Sequence, residues 1–150
     1  MKRHSQSGFS LIELLIVVAI ILIIAAIAVP NLLRARISAN EASAVSSVHA
    51  INTANITYAA ANPDLGFAAT LLTLGPGVGD YIDSNLASGT KSGYKFTYVA
   101  PGAVPHNSYT IQADPLIRSI TGARSFFSDE SNITRYNQTA PATNTDNSLQ

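Results

Sequence analysis

Cysteine is absent from all 150 residues. No disulfide can staple this fold, no thiolate can hold zinc and no thiol can act as a nucleophile. A secreted life stays open, because an exported fold does not require disulfides. Charge is scarce as well: only 12% of residues carry one, nine basic against nine acidic. A chain with no net charge has no electrostatic footprint for nucleic acid. The three histidines (His4, His49, His106) are scattered, and no pair has metal-ligand spacing. There is no phosphate-binding glycine loop, and no catalytic triad or carboxylate pair can be placed. The sequence therefore points away from an enzyme. Glycine is missing from residues 10 to 61, which removes one common way of weakening a helix there.

What is present is concentrated at the start. Phe9 to Val29 is apolar apart from Ser10 and Glu13, and Leu14 to Val29 is unbroken. At the helical rise, about 20 residues cross a bilayer core. Lys2, Arg3 and His4 precede this run, and positive charge of that kind stays in the cytoplasm. Three readings compete. One is a secretory signal with an Ala-x-Ala site at Ala26-Ile27-Ala28. One is a plain membrane anchor. One is a short leader that ends at Gly8, before the apolar run. Glu13 weighs on the choice. A carboxylate deep in a bilayer costs about 2.5–3.5 kcal/mol, and a simple signal or anchor gains nothing from it. A cut between Gly8 and Phe9 would put a new α-amine on Phe9, about one helical turn from Glu13. A buried carboxylate facing an amine is a matched pair. The same pair formed between neighbouring chains would set their axial register.

The string Gly8-Phe9-Ser10-Leu11-Ile12-Glu13-Leu14, behind a basic leader and ahead of an apolar helix that ends in Pro30, resembles the class III signal of type IV pilins and pseudopilins. The resemblance covers roughly residues 1–34. It implies that a prepilin peptidase cuts after Gly8 and methylates the amine of Phe9. It also implies that the helices of many copies bundle into a filament, with Phe9 and Glu13 setting assembly. The further partners implied are an assembly platform, a motor and, before assembly, the inner membrane. The finished product would be a surface filament. Two rivals remain: a major pseudopilin of type II secretion, and a monomeric membrane-anchored binding domain. Pro30 removes one N–H and clashes with the carbonyl of Ala26, so a kink or local unwinding is expected there. Many relatives also carry a helix-weakening glycine in this run. Here Leu22 and Ile23 occupy that neighbourhood.

The expected fold class is α+β. Residues 1–8 form the leader, 9–30 the apolar helix and 31–61 its amphipathic half. On that half Leu33, Ile37, Ala44, Val48, Ile51 and Tyr58 recur at steps of 4, 7, 4, 3 and 7. Arg34, Arg36, Ser38, Asn40 and Glu41 fall off this stripe. Residues 62–93 read as a connecting loop. Residues 94–136 read as an antiparallel sheet of three to four strands: Tyr94–Val99, Ser108–Ala113, Ser125–Ser128 and Ile133–Tyr136. Residues 137–150 read as a mobile tail or surface flap. No cofactor is expected. Asp80 and Asp83, or Asp129 and Glu130, are weak calcium candidates, since turns favour Asp for local hydrogen bonding anyway. Asn55, Asn132 and Asn137 each begin an Asn-x-Thr acceptor, a short and weak motif.

Overall fold

A computed structural model describes residues 9–149. The chain divides into two units at Ala35–Arg36, and one helix, α1 (Leu11–Ala61), supplies residues to both.

In the N-terminal unit the large apolar side chains from Leu11 to Leu33 are all exposed. The helix is long and apolar enough to cross a membrane. Each Leu, Ile or Val contributes about 1.5–3 kcal/mol when it leaves water. This surface therefore calls for lipid or other apolar helices around it. Pro30 lies inside α1, where the carbonyl of Ala26 loses its N–H partner.

The second unit, the head, begins at Arg36. It adds α2 (Leu71–Leu74), α3 (Ser84–Ala87) and five strands: β1 (Thr90–Lys91), β2 (Tyr94–Val99), β3 (Thr110–Pro115), β4 (Ser125–Asp129) and β5 (Arg135–Asn137). They form one sheet in the order β1-β2-β3-β4-β5, every neighbour antiparallel. The α+β expectation holds, with five strands rather than three to four. The core is one-sided. Tyr94 and Phe96 alternate with exposed Lys95 and Thr97 along β2, as one packed face requires. The register sets Phe96 beside Ala113, Ala113 beside Phe126, and Ile111 beside Ser128. Ala44, Val48, Ile51 and Ala54 of α1 close the same core.

The additional strand, β1, is only two residues long. It exists because Ser92 and Gly93 both hold positive φ, 49° and 75°. That is the two-residue hairpin turn whose twist matches the strands, and it pairs Lys91 with Tyr94. The stretch 62–93 is also more than a loop. Asp83 caps α3 by accepting from Leu86 N at 3.1 Å, and Thr70 caps α2.

The tail behaves as a flap. Tyr136 N donates to Asn147 O at 3.0 Å, and Leu149 N donates to Thr134 O at 2.7 Å. Ala142 is buried. Asn137 Oδ1 accepts from the N–H groups of Thr139 and Ala140, and Asp146 Oδ2 accepts from Thr143 N. Polar residues hold this segment by local turns, which compensates for its lack of apolar mass.

Gly122 makes a sharp packing prediction. A Cβ there would overlap the Tyr94 hydroxyl. Gly122→Ala should destabilise the head by about 1–3 kcal/mol through overpacking. The thermal unfolding midpoint of the variant against wild type checks this.

Candidate assembly interface

Ser10 stands just before α1. Its carbonyl accepts the helix's first bond, from Leu14 N at 3.2 Å. Its own N–H donates to Glu13 Oε2 at 2.9 Å. This is half of a capping box, in which the Glu three residues on reaches back to the capping residue's N–H. The helix dipole also favours a carboxylate here, by about 0.3–1 kcal/mol at an exposed site. The structure thus gives Glu13 a local partner that the charge argument alone missed, although the pattern Ser10-x-x-Glu13 was there to be read. A carboxylate offers about four acceptor positions, so the Ser10 bond leaves room for a cation. Phe9 is 82% exposed and stands four residues before this carboxylate. Gly8, with the rest of the expected leader, lies outside the described residues.

In the head, Glu41 ties the helix to the β3–β4 connection. Its Oε1 accepts from Ala123 N at 2.9 Å and Arg124 N at 3.0 Å. Its Oε2 pairs with Arg124 Nε at 2.8 Å. The preceding residue joins in: Asn40 Nδ2 donates to Thr121 O at 2.8 Å. Burial pushes the Glu41 carboxyl up, but the two backbone N–H groups and the Arg124 guanidinium outweigh it. The carboxyl settles below its ordinary value of 4.5. The guanidinium lies 5.6 Å from the ring centroids of both Phe126 and Tyr136, and the Arg124 carbonyl accepts from Tyr94 OH at 2.7 Å.

Further along α1, two buried amides bind the sheet. Asn52 Nδ2 donates to Ser128 Oγ, and Asn52 Oδ1 accepts from Tyr109 OH. Asn55 Oδ1 accepts from Ala68 N and faces Tyr98 OH. Burial raises Tyr94, Tyr98 and Tyr109, the last to about 12 with help from the charges of Glu130 and Asp129. A raised folded value favours the neutral phenol. Its stabilising effect is complete below the ordinary value of 10.0 and is lost as pH climbs toward about 12. An alkaline titration followed by phenolate absorbance should therefore show a delayed component that coincides with unfolding. If all six tyrosines ionised together in the ordinary range, with the fold intact, this packing would be refuted.

Residues 3–29 match the prokaryotic N-terminal methylation motif. The chain is 60% identical over 38 residues to the type IV wide pilus major component PilA4 of Thermus thermophilus, covering 25% of this chain and 29% of that protein. It is 38% identical over 58 residues to the type II secretion system core protein G of Aeromonas hydrophila, covering 39% of this chain and 41% of that protein. Over these stretches the chain is similar to type IV pilins and type II secretion pseudopilins. It spans less than half the length of these two relatives.

Other candidate positions take ordinary structural places. Asp80 Oδ1 accepts from Gly77 N. Asp83 caps α3 and pairs with Lys91 at 2.7 Å, which holds its carboxyl below the usual range. Asp129 Oδ1 accepts from Ser131 N, and Glu130 is exposed. Among the described residues, no group of three or more His, Asp or Glu side chains converges. Asn55 is wholly buried, so the first Asn-x-Thr acceptor is closed to modification in the folded head. Asn137 spends its side chain on the tail turn and on Asp146.

Proposed function

We propose that the chain is a prepilin, the major structural subunit of a type IV pilus. Peptidase cleavage between Gly8 and Phe9, with methylation of the new amine, would yield the subunit. The apolar part of α1 would hold the precursor in the inner membrane and later pack in the core of a surface filament. One observation carries the reading. A wholly exposed apolar helix begins with a carboxylate already turned to its own N-terminus, within a methylation motif. Nothing in this arrangement asks for catalysis by the chain itself. The platform, motor and peptidase are partners this reading requires. Phe9 and Glu13 set register, and Pro30 supplies a point where the helix can yield.

A second reading, the major pseudopilin of a type II secretion system, draws on the alignment with core protein G, which is longer than the apolar run. Electron microscopy of sheared surface fibres, probed with antibody to the head, distinguishes the two. Long labelled fibres are expected. Mass spectrometry of the mature chain tests the shared step, with a start at methylated Phe9 as the expected result. Gly8→Val should leave the uncut form in the membrane, because a branched side chain at the cut blocks the close approach that glycine allows. A mature chain that starts at Val29, or that retains Met1, overturns both readings.

A further inference from the structure

The β3–β4 connection carries Leu116, Ile117 and Ile120, which are 56%, 55% and 52% exposed. Single exposed apolar residues are ordinary on any protein surface. Three within five residues, on a loop with its backbone satisfied, are a built feature. Leu116 N donates to Gly93 O at 2.9 Å, Thr121 N to Ile117 O at 2.9 Å, and Ser119 N to Gly122 O at 2.8 Å. Arg118 donates to the carbonyls of Ala123 and Gln138 and to Ser125 Oγ. The loop is stapled from behind, while its apolar side chains are left outside.

The position of the loop in the head suggests what covers it. It is tied to α1 through Asn40 and, just after it, through Glu41. The head begins at Arg36, one helical turn before Asn40 and on the same face. Arg36 is exposed. The apolar loop and the exposed Arg36 therefore occupy the end of the head at which α1 enters it. Only six residues lie between Val29 and Arg36, a tether of at most about 25 Å even when fully extended. The interfacial layer itself is about 5–8 Å deep on each side.

We propose that Leu116, Ile117 and Ile120 dock the head on the bilayer surface while the precursor is held by residues 9–29, with Arg36 facing lipid phosphates. An apolar wedge beside a cation is the composition of an interfacial contact. The tether holds the local concentration high, so a weak contact suffices. The inference rests on the membrane-held precursor proposed above.

The chain has no tryptophan, so an introduced indole is a sole reporter. Full-length Ile117→Trp is reconstituted in phosphatidylcholine–phosphatidylglycerol vesicles, with and without lipids brominated near the headgroup. Val78→Trp is the control. Val78 lies in the loop before Tyr81, whose ring meets Tyr58, eighteen residues and about 27 Å along α1 from Asn40. The expected result is a blue-shifted indole at 117 that loses most of its emission to brominated lipid, and an indole at 78 that does not. Equal, weak quenching at both positions overturns the proposal. Shielding at 117 that disappears as the lipid-to-protein ratio is raised assigns the loop to a second copy of the chain and also overturns it. Flotation of the vesicles is scored separately. Protein that fails to float removes the anchored-precursor reading together with this one, whereas protein that floats without quenching removes this one alone.

Discussion

Glu41→Ala should be the most damaging single change in the head, lowering its stability by about 3 kcal/mol. The side chain is 6% exposed and makes three bonds to the β3–β4 connection. Its removal leaves the N–H groups of Ala123 and Arg124 without their acceptor and the guanidinium without its anion. Part of that loss is recovered, because the Arg124 side chain is 36% exposed and can hydrate. For a domain of this size, about 3 kcal/mol corresponds to a fall in melting temperature on the order of 10 °C. Arg124→Ala should cost less, since only one of the three bonds leaves and the backbone N–H groups still hold the carboxylate. The pH dependence has a definite sign. Glu41 titrates lower in the folded chain than its ordinary 4.5, so its contribution is present above that value and is lost as pH falls through the lower folded value. Acid unfolding of wild type should show this loss, and Glu41→Gln should flatten it. A Glu41→Ala head that melts with wild type would mean that the ion pair is solvated and idle.

Much of the architecture was legible because burial follows period. The helical stripe at steps of 4, 7, 4, 3 and 7 holds at its centre, where Ala44, Val48 and Ile51 are buried, while Ile37 and Tyr58 are half-buried and Leu33 is exposed. Its two seven-residue gaps were the informative part. Glu41 fills the first and Asn55 the second, which turns the stripe into regular steps of 4 and 3 from Ile37 to Tyr58. Glu41 falls off a stripe drawn from apolar residues, and Asn55 reads only as the start of an Asn-x-Thr acceptor, because polar side chains are usually outside. Their partners, the backbone of Ala123 and Arg124 and of Ala68, lie far along the chain, and no local pattern announces them. The hairpin before β2 was visible in Ser92-Gly93, a turn pair that favours positive φ. The tail is different in kind. It is held by a few backbone bonds, at Tyr136 and Leu149, and by bonds between backbone and short polar side chains, and composition alone cannot separate such a flap from a mobile end.

Glu13→Gln and Glu13→Ala together should decide what the acid in the membrane run is for. If Glu13 were only a helix cap, glutamine would replace it, because an amide oxygen can accept from Ser10 N–H as the carboxylate does at 2.9 Å. Alanine would then cost the helix start about 0.5–2 kcal/mol and glutamine almost nothing. If the charge is what matters, the two variants behave alike. The amine created on Phe9 then finds no anion in an apolar surrounding, and a buried ion that loses its partner costs about 3–5 kcal/mol. Spread over every subunit of a filament, that penalty is prohibitive. The expected result is loss of filaments with both variants, with processing at Gly8–Phe9 retained and the helix content of Glu13→Gln unchanged by circular dichroism. The measurements are fibre yield after shearing and mass spectrometry of the mature chain. Wild-type fibre yield from Glu13→Gln would leave the carboxylate with only its capping role. The bond to Ser10 is compatible with the ionic one: it occupies one oxygen of Glu13 and holds the carboxylate at the helix start, where an amine from the same chain or from a neighbour can reach it.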